Sequence, residues 1–170
     1  MDLSTLTGDM EARNGQTLTG TLACNVKVSI TDGATVTLRD ATINGRNKNA
    51  LRWAGINCPG NATIVLEGTN SVRGFYRRYP GIHIVSGKTL TIRGSGSLTA
   101  SSNDRGTGIG SGYQASCGNI TITDGVTSVT AAKGGSAPYS IGASNYGKCG
   151  TVTIGGKTGA ISESPYTYKP

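Results

Sequence analysis

The stretch Tyr79–Ser102, YPGIHIVSGKTLTIRGSGSLTASS, holds both signals from which the fold is read. The first is the apolar-Thr-apolar triplet Leu90-Thr91-Ile92, followed by a Gly/Ser turn and the apolar Leu98. The second is Gly81-Ile82, which opens the alternating triplet Ile82-His83-Ile84. A period of two turns alternate side chains to opposite faces, so each triplet predicts a short strand with one face in and one face out. Working outward, the first signal returns as Val36-Thr37-Leu38 with Ile43, Ile64-Val65-Leu66 with Val72, Ile120-Thr121-Ile122 with Val129, and Val152-Thr153-Ile154 with Ile161. Its first members are spaced by 28, 26, 30 and 32 residues. The second returns as Gly55-Ile56, Gly108-Ile109 and Ser140-Ile141-Gly142, giving spacings of 26, 27 and 32.

Two columns that keep step over the length of a solenoid repeat predict an all-β, right-handed parallel β-helix (a β-solenoid) of about five coils with an N-terminal cap. One coil cannot bury its apolar side alone, so stacking must supply the core. A β-sandwich also spaces its strands evenly, but nothing in it requires the two columns to stay in register. The 170 residues form one domain in this reading. Residues 1–30, with Leu18, Leu22, Val26, Val28 and Ile30, are the N-terminal cap or first coil, and residues 162–170 a C-terminal cap or tail. Twenty-seven glycines and a charged content of 15% fit turns and short strands, not a helical bundle.

Sixteen Lys and Arg against nine acids give a net charge of +7. The chain is therefore soluble and attracted to polyanions: acidic polysaccharide, nucleic acid, anionic lipid or an acidic protein face. No apolar run is long enough to span a membrane, and Met1-Asp2-Leu3 does not open a secretory signal. The expectation is a protein whose leader lies outside this sequence. The four cysteines, Cys24, Cys58, Cys117 and Cys149, include no C-x-x-C, and with one His a zinc site is not indicated. Cys117 and Cys149 fall in register in adjacent coils, where either a disulfide or two stacked apolar thiols would fit. Cys58 aligns with Ile30 and Ile84 and reads as a buried thiol.

The runs GDMEARNGQTLTGTL, ITDGATVTLRDATING, WAGINC, ATIVLEGTNSV, YPGIHIVSGKTLTIRGSGSLTASS, GIGSGY and CGNITIT together cover most of the chain. In these runs it resembles secreted carbohydrate-binding domain-containing β-helix proteins of anaerobic bacteria. The resemblance implies an extracellular or bacterial cell-surface location and glycan binding. The acidic calcium clusters of some related β-helices have no counterpart here, and no cofactor or metal is expected.

The candidate site is a basic, aromatic loop face. Arg52, Arg78 and Arg105 each stand four residues before a column isoleucine: Ile56, Ile82 and Ile109. The next position holds Trp53, Tyr79 and Gly106, and Arg46, Lys48, Phe75, Tyr76 and Arg77 lie nearby. Guanidinium forks suit carboxylate, sulfate or phosphate, and flat aromatic faces suit sugar rings or a protein anchor. A non-catalytic module that binds an anionic glycan is the first expectation. A natural or engineered scaffold for a protein partner is the second. Single-stranded nucleic acid is compatible with the charge. A third reading is ice binding through the T-x-T pairs Thr35/Thr37, Thr89/Thr91 and Thr151/Thr153, which Thr63/Val65 and Asn119/Thr121 interrupt.

Catalysis is not expected. Glycoside inversion needs two carboxylates about 6.5–9.5 Å apart, whereas Asp32, Asp40, Glu67, Asp104 and Asp124 fall in different turns. His83, the single imidazole, points outward from its strand with no acid at a matching position.

Overall fold

A computed structural model describes all residues, Met1–Pro170. The chain is all-β and winds into a β-solenoid of about four turns. Its first face is a six-stranded sheet. Strands Met10–Ala12, Val28–Ile30, Ile56–Cys58, Ile82–Ile84, Ile109–Gly110 and Ile141–Gly142 follow one another there in parallel. The remaining strands form one eleven-stranded sheet, which bends into two further faces. The bend is visible in the long strand Ala34–Asn44. Its first half pairs with Ala62–Glu67 and its second with Thr69–Arg73. Asp40, at φ 50°, makes the corner, and its Oδ1 accepts a hydrogen bond from the Thr69 N–H at 2.9 Å. The second face continues through Thr89–Gly94, Asn119–Ile122 and Val152–Ile154, and the third through Ser97–Ser101 and Ser128–Ala132.

The inward positions make one continuous core of 36 residues, from Leu3 to Ile154. The column Ile56, Ile82, Ile109, Ile141 pairs as the sequence spacing required. Cys58 lies between Ile30 and Ile84 in the core, and burial pushes its thiol pKa up to about 12. Five polar residues are buried: Asn70, Thr107, Ser111, Ser140 and Ser144. Asn70 is fully buried, its Oδ1 accepting from the Ala41 N–H and its Nδ2 donating to the Glu67 and Ser97 carbonyls.

The second column keeps the register read off the sequence at every step but one, where it shifts by two residues. Ile64 pairs with Ile92, not Leu90, and Val72 with Ala100, not Leu98. Leu98 stands opposite Asn70 and Val129. An apolar-x-apolar pattern is unchanged by a shift of two, so the side-chain period cannot distinguish these alternatives. The corrected pairing aligns Thr35, Thr63, Thr91, Thr121 and Thr153 in one unbroken outward file. The neighbouring file, Thr37, Val65 and Arg93, is broken by an apolar and a charged residue.

Ile161 is also misplaced by the sequence pattern. It does not continue the third face. The chain reverses at Gly155 and Gly156, Lys157–Thr158 folds back antiparallel on Val152–Ile154, and Ile161 bridges Ile141 antiparallel. The last strand, Tyr166–Tyr168, then runs antiparallel along Ser128–Ala132. At the opposite end, the short 3-10 turn Leu3–Thr5 buries Leu3 and packs beside Thr17–Thr21.

Candidate functional site

The first face carries a groove of about 330 Å³ along its outer side. Its floor is the outward file of the strands: Ser29, Asn57 and His83 pair in that order. One wall comes from the loops that enter this face, with Lys27, Arg52, Trp53, Tyr79 and Pro80. Ala115 contributes from the loop that leaves it. The file changes to Gly110 and Gly142 beyond His83. A Cβ on Gly110 would lie 2.0 Å from the Gly142 carbonyl, and both residues sit at φ +138°, so only glycine fits there.

His83 points outward, as its alternation demanded, but it is half-buried in the groove floor. Its Nδ1 lies 3.0 Å from Asn57 Oδ1. Burial lowers its pKa below the ordinary imidazole value, and a backbone hydrogen bond at Ser116 opposes this less strongly. No group of three or more His, Cys, Asp or Glu is placed to hold a metal ion.

The three arginines meet on the loop side. Arg52 and Arg78 line one small pocket together with Asn49, Tyr76 and Tyr79. Arg78 and Arg105 both lie over the Tyr113 ring, their Cζ atoms 5.2 and 5.0 Å from its centroid. Arg105 also pairs with Asp104 at 3.5 Å, and its N–H bonds the Arg77 carbonyl of the preceding coil. Lys27 Nζ lies 5.4 Å over Trp53. Lys27, Arg78 and Arg105 thus rest on rings from neighbouring loops, an attraction of about 0.5–1 kcal/mol each at exposed sites. Such supports offset part of the repulsion between like charges stacked in successive coils.

No family model, characterised protein or solved structure matches this chain. The function must therefore be read from this geometry.

Several residues read from the sequence have other roles. Phe75 is a core residue with 1% exposure; its ring packs on Trp53 at 5.6 Å and is unavailable to a ligand. The aromatic run in which it sits reads the same whether a ring faces out or in. Arg46 and Lys48 are exposed but do not line the groove. Arg77 is turned to the side, over the Tyr76 ring at 5.7 Å, where it lines a separate shallow pocket with Asn47 and Asn49. Trp53 is half-buried, and its Nε1–H is buried without a hydrogen-bond partner. Gly106 breaks the aromatic column because a Cβ there would lie 2.5 Å from the Tyr79 carbonyl.

Sequence reasoning missed Lys27, Ser29, Asn57, Tyr113 and Ala115. Ser29, Asn57 and His83 were findable: each is the middle residue of a first-face triplet, and that column gives a shared outward file. Tyr113 lies outside both apolar columns, so the repeat gives it no place. In the structure, Tyr146 (φ 64°) occupies the turn position of Gln114 (φ 61°), one residue on. The two tyrosines instead touch edge to face at 5.7 Å, with Tyr146 84% exposed. Cys117 and Cys149 are joined in a disulfide, which ties two adjacent coils beside Ala115; Cys24 and Cys58 are free.

Proposed function

We propose that this protein is a non-catalytic extracellular module that binds an anionic glycan at the groove and loop face around Arg52, Arg78 and Arg105. The observation that carries this reading is the convergence of those arginines with Lys27 on one face, each beside or over an aromatic ring. Guanidinium forks held in place recognise carboxylate and sulfate bidentately. The ring faces of Trp53 and Tyr113 are covered by cations, so charge, more than stacking, selects the ligand. An oxidising compartment is supported by the Cys117–Cys149 disulfide, since such bonds persist mainly outside the cytosol. Parallel strands joined by crossovers are nearly always right-handed. We read the solenoid as right-handed, with residues 1–30 as its N-terminal cap and first coil.

The test is binding to a glycan array and to affinity gels of uronate-rich and sulfated polysaccharide. Wild type is expected to be retained, and the Arg52→Ala/Arg78→Ala/Arg105→Ala triple variant to be released. Absence of binding by wild type, or undiminished binding by the variant, overturns the reading.

A further inference from the structure

The cations have an order along the molecule, and the repeat sets it. Arg52, Arg78 and Arg105 precede Ile56, Ile82 and Ile109, which pair in register across three successive coils. Neighbouring strands in a sheet are about 4.8 Å apart, so the arginine backbones climb the solenoid axis in steps of roughly that size. The side chains form a continuous file. Lys27 shares the groove with Arg52, Arg52 shares a pocket with Arg78, and Arg78 shares the Tyr113 ring with Arg105. Lys27 stands at a different turn position, directly before Val28, but its Nζ reaches the next coil at Trp53. The file thus holds one cation per coil over four coils. Asp104 is the single acid paired with any of them.

The chemistry of the ligand follows from what the face offers. Single-stranded nucleic acid is held by bases stacked on free aromatic faces. Here the Trp53 ring is taken by Lys27 and Phe75, and the Tyr113 ring by two guanidiniums. A compact anion would meet one or two of these charges and leave the others repelling. A chain with repeating acidic groups would meet all four.

We infer that the face is a track for a linear polyanionic glycan lying parallel to the solenoid axis, with one acidic group held per coil from Lys27 to Arg105. This rests on the anionic-glycan reading and adds the ligand's form and direction. Titration calorimetry with oligogalacturonates and with heparin oligosaccharides of defined length tests it. Affinity is expected to rise about tenfold or more between the disaccharide and a chain that spans all four cations, as linked contacts reinforce one another, and to level off beyond that length. Lys27→Ala and Arg105→Ala, at the two ends of the file, should weaken the long chain but leave the disaccharide within about twofold. Each should also reduce the salt slope for the long chain by about one, because one fewer counterion-releasing contact remains. Length-independent affinity in a series that binds overturns the track while leaving glycan binding in place. No binding in either series removes the glycan reading itself. Oligo-dT bound more tightly than both series assigns the track to nucleic acid and overturns the inference.

Discussion

At the scale of the residue, His83 shows how a correct local reading can miss an environment. Alternation between Ile82 and Ile84 placed the ring outward, and it is outward. What the period could not show is that loops rise on either side of the sheet and turn an outward position into a groove floor beside Asn57 and Ala115. The burial has a consequence for stability. The unfolded chain takes up a proton on this imidazole near pH 6.5, whereas folded His83 resists protonation to lower pH. Its contribution is therefore fully present above the unfolded value and is lost as pH falls through that value toward the folded one. Urea unfolding from about pH 7.5 to about pH 5.5 should show the midpoint falling in wild type, with a shallower fall in His83→Gln. Equal slopes in the two proteins would show that the ring is no more buried than in the unfolded chain. Charged groups sharing the groove are Lys27 and Arg52, and both act in the same direction on a second positive charge.

At the scale of the element, the inward columns were legible because Ile, Val and Leu recur where only a core can take them. The exact pairing of strands was less so. Each apolar-x-apolar triplet fits its neighbour equally well after a shift of two, and the length of chain between Leu66 and Leu90 gives no sign of which is used. Asn70 helps to decide it. The residue sits just past the corner between the second and third faces, and its amide satisfies Ala41 in the coil below and Ser97 in the coil above. That places Leu98, not Gly96, opposite it. A hydrophobic core offers no water to those backbone groups, so removing the amide leaves them unpaired. Asn70→Leu, similar in size, is expected to destabilise the protein by about 3 kcal/mol, read from the urea midpoint, because one buried and two part-buried hydrogen bonds are lost at once. Neutrality would mean that the strand register does not depend on this residue.

At the scale of the whole molecule, the end of the solenoid was the part the sequence hid. Val152-Thr153-Ile154 with Ile161 continues the repeat pattern, yet Gly155 and Gly156, both at positive φ, turn the chain back on itself. As a result, each of the three faces ends in an antiparallel partner: Ile161 on the first, Lys157–Thr158 on the second and Tyr166–Tyr168 on the third. A parallel solenoid that simply stopped would leave rows of unpaired N–H and C=O groups, on which another copy could add a coil. An antiparallel strand changes the direction of pairing at the edge, and Tyr166 and Tyr168 also lean on the core. Deleting residues 164–170 should therefore expose the edge of Ser128–Ala132. The shortened chain should associate with rising concentration in sedimentation velocity, where the full chain under the same conditions does so less. Adding Thr130→Lys to the shortened chain should reverse the effect, since a charged outward residue blunts an edge strand without touching the buried Val129 and Ala131. Association that persists with the lysine would arise from the exposed core, and association absent from the shortened chain would show that the antiparallel strand is not what keeps this end closed.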